Sequence, residues 1–233
     1  MLRDAPYNYE NNQWGLGKAH GHFEQCLLER TRGGATERGW TWDWPGTDPS
    51  VFAYPEIIFG WKPWSGGRTT DHRFPLRLSN MRDLTIEYAV ETEASGSYNL
   101  APEVWLIRER SSAGQQNPSL ISAEIMFWVE AAGVAQPGGK IVGHPEVGGV
   151  VYELWQQDGA GGDGSGPTWR LLSLKTPTTQ RAGTIPVADL LRYLIQKGLV
   201  NPNHYVASVE FGNEISGGRG TTWVKKFAVN VNP

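Results

Sequence analysis

The 233-residue sequence predicts an all-β sandwich or jelly roll carrying a single α-helix. Three observations carry that expectation. Glycine and proline number 29 and 15 while only 19% of residues are charged, a balance that favours turns and short strands over long charged helices. Runs of about five to eight strand-forming residues recur between turn residues. Only one segment changes period: Val187, Leu190, Leu191, Leu194 and Ile195 fall at i, i+3, i+4, i+7 and i+8, the stripe of a helix with one face on a core. Pro186 suits its first turn, and Gly198 the position just past its end.

In chain order, strands are expected at Tyr7–Trp14, His22–Glu29, Val51–Phe59, Leu84–Glu91, Ser97–Ile107, Ala123–Val129, Val150–Gln156, Trp169–Lys175, Tyr205–Phe211 and Thr222–Val231. Pro102 inside Ser97–Ile107 predicts an edge strand or a bulge there. The glycine-rich patch from Asp158 to Gly166 reads as a hairpin loop between two strands. It lacks the Gly-Lys-Ser/Thr ending of a phosphate loop and is far short of a calcium-binding repeat array.

Length fits one domain over residues 1–233, expected to act as a monomer. A net charge of −3 offers no basic surface for nucleic acid or an anionic membrane. No 18-residue apolar run exists to span a bilayer. Cys26 is alone, which excludes an internal disulfide and a cysteine-cluster metal site. His20 and His22 share a strand face but lack a third ligand, so they read as surface histidines, and no metal is expected. Eleven tryptophans exceed what a core of this size needs, so some are expected to line a binding surface.

The chemistry is expected on three strands. Alternation puts Ala123, Ile125, Phe127 and Val129 on a core face and Glu124, Met126 and Trp128 on the other. A carboxylate in a row with a thioether and an indole suits the floor of a cleft. Asn99, Ala101, Glu103, Trp105 and Ile107 form a similar face. Near the C-terminus, Ser208, Glu210, Gly212 and Glu214 alternate with Val209, Phe211 and Asn213, and Gly212 reads as a close approach of a ligand or another backbone. Paired carboxylates on such a cleft are the machinery of glycoside hydrolysis. A solvated glutamate is the simpler reading of any one strand alone. Alternation does not separate Glu210 from Glu214.

Five segments, in order and spread over nearly the whole chain, are similar to glycoside hydrolase family 12, endo-β-1,4-glucanases of jelly-roll fold. They are Asn11-Asn12-Gln13-Trp14-Gly15; Ala53 to Ile57 followed by Phe59 to Trp64; Asn99 to Trp105; Ala123 to Trp128; and Phe211-Gly212-Asn213-Glu214. The resemblance implies a jelly-roll sandwich of two antiparallel sheets with a concave cleft. It implies Glu124 as nucleophile, Glu214 as acid/base and Glu103 as the carboxylate that assists the nucleophile, a position that is Asp in many members. It further implies sugar contacts from Asn12, Trp14, Met126 and Trp128. Trp61 and Trp64 are the next candidates as sugar platforms, while Trp105, Trp155, Trp169 and Trp223 are expected in the core or at the rim. Ile215 to Gly218 replace an aromatic residue often found after the acid/base.

The same resemblance implies retention by double displacement, which requires two carboxyls about 5–5.5 Å apart that titrate as a unit and no metal or organic cofactor. The expected partner is a β-glucan chain: cellulose, mixed-linkage glucan or xyloglucan. A non-catalytic glycan-binding jelly roll would keep the tryptophans without needing both glutamates, and a xylanase of the related jelly-roll family is disfavoured by the Glu-x-Met-x-Trp strand. Residues 1–6 lack the features of a signal peptide, yet a polymer substrate implies a secreted protein whose signal has been removed.

Overall fold

The computed structural model describes residues 2–44, 51–64, 67–110, 116–133, 135–161 and 166–232. Two antiparallel layers face each other across one apolar core. The first runs Leu2–Asp4, Tyr7–Asn12, Tyr54–Gly60, Tyr205–Gly212, the C-terminal part of Asp83–Ile107, Ile121–Trp128, Trp169–Lys175, Glu153–Ala160 and Lys140–Gly143. In the second, Glu24–Arg32, Ala35–Trp44, Ile215–Asn232, the N-terminal part of Asp83–Ile107 and Ala182–Ile185 lie side by side. Every pairing in the first layer is antiparallel except that between Ile121–Trp128 and Trp169–Lys175.

The two strands expected at Leu84–Glu91 and Ser97–Ile107 are one strand of 25 residues that passes from one layer into the other. Its crossing point is Gly96, at φ 107°, which faces Gly218, at φ 90°. A Cβ on Gly96 would sit 2.5 Å from Gly218 Cα, so the backbones approach closer than any side chain permits. Pro102 does not mark an edge, because the strand is paired on both sides. It falls between the last pair with Glu130–Ala132 (Leu100 with Glu130) and the first with Ile121–Trp128 (Glu103 with Met126), where a missing N–H is tolerated.

Val187–Gln196 is helical, with Val187, Leu190, Leu191 and Leu194 buried and Gly198 at φ 69° beyond its end. The core between the layers holds Trp40, Trp42 and Trp44 from one side and Ile57, Phe59, Ile125, Phe127 and Phe211 from the other. Phe211 stacks on Phe227 at 5.5 Å and meets Trp40 edge-on at 6.5 Å. Trp40, Trp42 and Trp44 build this interior, which leaves the other eight of the eleven tryptophans outside it. Residues 162–165 of the glycine-rich patch lie outside the described residues, but the strands flanking it do pair as a hairpin. Among the described residues no helix is long and apolar enough to cross a membrane.

Candidate active site

Alternation decides which side chains leave the core. On Ile121–Trp128, Ile125 and Phe127 point inward, leaving Glu124, Met126 and Trp128 on the open face of the first layer. Register then assembles neighbours on that face: Glu210 pairs with Glu103, Glu103 with Met126, and Trp105 with Glu124. Glu10 pairs with Glu56 one strand further out. Gly212 is a close approach as read from the sequence, and the close partner is a neighbouring backbone. A Cβ there would lie 2.3 Å from the carbonyl oxygen of Pro55.

Glu214 lies two residues beyond it. Its backbone is held by Asn99 from both directions: the Asn99 N–H donates to the Glu214 carbonyl at 3.0 Å, and the Glu214 N–H donates to Asn99 Oδ1 at 3.0 Å. Asn99 Nδ2 also donates to Glu214 Oε2. Asn213, fully buried, accepts from Trp40 Nε1 and Thr222 Oγ1, both at 2.8 Å, and donates to the Asn99 carbonyl at 2.7 Å. The acid is thus anchored to both layers.

Burial and mutual repulsion set the charge. Glu124 is pushed up to about 8, by burial first and the charge of Glu214 second, while an N–H bond from Trp169 Nε1 at 2.7 Å pulls the other way. Glu214 is pushed up to about 7 by burial, opposed by the Asn99 bond. Glu103 is held well above the carboxylate range by burial and by the charges of Glu124 and Glu214, so its neutral form is favoured.

Glu210 is different. Burial would raise it, but Lys62, Glu56 and Ser208 more than offset that and hold it below the ordinary value. Lys62 Nζ lies 3.3 Å from Glu210 Oε2 and bonds Glu56 Oε1, while Ser208 Oγ donates to Glu210 Oε1 at 2.7 Å. Glu56 is forced well up by burial and by Glu210, so one of the two acids carries the proton and the other the charge. Lys62 stays charged because the field of the two acids outweighs its desolvation.

The residues expected to bind sugar occupy varied settings. Trp14 is 49% exposed beside the end of Tyr7–Asn12 and offers a free ring. Asn12 Nδ2 donates to Glu56 Oε1 at 2.9 Å. Met126 and Trp128 are buried on the open face under Ala131 and Ala135, with Trp128 Nε1 donating to Met126 Sδ at 3.4 Å. Trp61 is 1% exposed, so its ring belongs to a buried cluster with Trp105 and Trp169. Trp64 packs on that cluster, half-buried. Sequence reasoning missed Trp169, Lys62, Glu56 and Asn99 as site residues. The outward parity of Glu56, between Ile57 and Pro55, was the readable signal for one of them.

Among the described residues, no three His, Cys, Asp or Glu side chains are disposed to hold a metal ion. The arrangement can hold one proton on a buried carboxyl pair beside aromatic rings, which is acid/base and nucleophile chemistry.

Fold and sequence are both shared with known proteins. The model of glycosyl hydrolase family 12 matches residues 5–232. Endoglucanase S of Pectobacterium parmentieri is 28% identical over 97% of this chain and 81% of its own length. Endoglucanase A of Aspergillus kawachii is 24% identical over 97% and 88%. The native family 12 xyloglucanase from Bacillus licheniformis superposes with a TM-score of 0.87 at 27% identity, covering 99% of this chain and 95% of that one. The chain belongs to glycoside hydrolase family 12.

Proposed function

We propose that the chain is a retaining endo-β-1,4-glucanase that cleaves internal bonds of cellulose-type or mixed-linkage β-glucan by double displacement, as one catalytic domain acting as a monomer outside the cell. One observation carries the reading: of the acids on the open face, Glu124 and Glu214 are both raised into the neutral range, whereas Glu210 is locked as an ion by Lys62. A group without a proton cannot protonate a leaving oxygen, which supports Glu214 over Glu210 as the acid.

In the first step a carboxylate oxygen of Glu124 bonds to the anomeric carbon as the bond to the leaving oxygen breaks. The proton of Glu214 goes to that oxygen. Glu214, now ionised, takes a proton from water, and the hydroxide attacks the same carbon and releases Glu124. The two carboxyls titrate as a pair, and attack proceeds from the state in which Glu124 is ionised and Glu214 holds the proton. Neutral Glu103 between the two strands adds no repulsion to the attacking carboxylate. The exposed ring of Trp14 supplies an apolar platform for a glucosyl face, with Asn12 beside it.

The test is release of reducing sugar from barley β-glucan and carboxymethyl-cellulose. Glu124→Ala and Glu214→Ala are expected to lower kcat by roughly 10³-fold or more while the protein stays folded. Full activity in Glu214→Ala together with loss in Glu210→Ala would reverse the acid assignment. Xyloglucan is the second reading, favoured by the similarity to the Bacillus licheniformis xyloglucanase. Product analysis on both polymers decides between them.

A further inference from the structure

We propose that Trp169 is a positioning residue for the nucleophile: its indole N–H occupies one carboxylate oxygen of Glu124 and leaves the other to attack. The proposal rests on the reading of Glu124 as nucleophile.

The geometry begins with the parallel strand pair. Trp169 opens the strand Trp169–Lys175, whose register sets Leu171 opposite Glu124. Parity puts Trp169 on the same open face, and its Nε1 lies 2.7 Å from Glu124 Oε2, with both side chains buried. Among the described residues this is the only hydrogen bond to the Glu124 side chain.

The ring is not free to turn away. Trp105 meets it at 5.4 Å and 70°, and Trp64 at 5.3 Å and 67°, while Trp64 and Trp105 meet each other at 5.9 Å and 83°. Three mutually edge-on indoles wedge one another, so the donor keeps its direction. Trp105 itself pairs directly with Glu124 across the strands, which ties the wedge to the nucleophile's own backbone.

An indole N–H suits this place chemically. It donates only and does not ionise, so it favours the charged carboxylate without competing as an acid. With Oε2 engaged, Oε1 forms the bond to the anomeric carbon as the leaving oxygen departs with the proton of Glu214. Oε2 then becomes the carbonyl oxygen of the glycosyl ester, a weaker acceptor. In the second step the bonding pair returns to Oε1, and the N–H again holds a full carboxylate, easing its departure. A tryptophan that merely filled the cluster would be replaced without kinetic consequence by another large ring.

Trp169→Phe removes the donor and keeps an aromatic ring. The expected result is a roughly tenfold fall in kcat on carboxymethyl-cellulose. The acid limb of the kcat/KM–pH profile moves to higher pH, because a bond favouring the ionised form is lost. Unchanged rate and profile would overturn the proposal. The second arm uses Glu124→Ala with azide and dinitrophenyl cellobioside, where azide bonds to the anomeric carbon and dinitrophenolate leaves. If Trp169 acts through Glu124, the azide-rescued rate per folded molecule is the same within about twofold with Trp or Phe at position 169. An equal tenfold loss in the rescued enzyme means a packing role and also overturns it. Failure of the underlying reading looks different: Glu124→Ala then keeps its activity or is not rescued by azide at all.

Discussion

At the residue scale, the same burial that readies the acids for chemistry works against the fold. An unperturbed glutamate titrates near 4.5, whereas Glu124 and Glu214 hold their protons to about 8 and about 7. Between pH 4.5 and 8 the folded state therefore binds more protons than the unfolded chain, and linkage makes stability fall as pH rises through that window. The contribution is fully present below 4.5. Glu56 and Glu103, also raised, act with the same sign. Glu210, held low by Lys62, has the opposite sign, and its contribution is lost only as pH drops through acid values. Calorimetry at pH 5, 6.5 and 8 should show the melting temperature declining across the series, and Glu124→Gln should melt above the parent at pH 8 with a shallower pH slope. A melting temperature that climbs from pH 5 to 8 would contradict the assignment of buried, raised acids.

At the scale of elements, legibility tracks periodicity. The helix and the strand carrying Glu124 stand out because the core stripe, Leu190, Leu191 and Leu194 in one case and Ile125 and Phe127 in the other, is uninterrupted. Ala35–Trp44 escapes sequence reasoning although Trp40, Trp42 and Trp44 alternate with Thr41 and Asp43, because a surplus of tryptophan points to binding rather than to a core. The site shows the same division. Glu124 and Glu214 are legible through motif and parity, while Trp169 and Lys62 are not, since what matters in them is a partner far along the chain that no local pattern records. Gly212 is legible as a close approach, but only the fold shows that its partner is protein. Gly212→Ala would drive a methyl group to 2.3 Å from the Pro55 carbonyl oxygen in the strand that carries Glu56. The expected cost is about 2–3 kcal/mol in urea unfolding, with a lower kcat, since the strand leads directly to Glu214. A variant as stable as the parent would show that the strands can part there without consequence.

At the scale of the whole molecule, the position of Glu214, the proposed acid, depends on the contact between the layers. Asn213 is the residue before Glu214, yet its side chain points into the core rather than the cleft. There it takes the N–H of Trp40 and the hydroxyl of Thr222 from the second layer and gives its own N–H to the Asn99 carbonyl. Asn99 in turn holds Glu214 by backbone and side chain. One buried amide therefore couples sheet packing to the position of the acid. Asn213→Ala leaves an indole donor and a carbonyl without their amide partner in a dry interior and the Thr222 hydroxyl with only Thr92, at an expected cost of about 3 kcal/mol. Below the melting transition the variant remains folded, but the peptide segment bearing Glu214 loses its inner anchor, and kcat should fall about tenfold or more with little change in KM. Substitution of Thr222 by valine removes one of the three bonds of Asn213, and the contact with the Thr92 hydroxyl, while keeping the shape, so it should cost about 1–2 kcal/mol and leave kcat close to the parent. If the two variants lose kcat equally, the coupling does not pass through the Asn99 carbonyl. If Asn213→Ala loses stability but not rate, the acid is held by Asn99 alone, and the two layers contribute packing without positioning the chemistry.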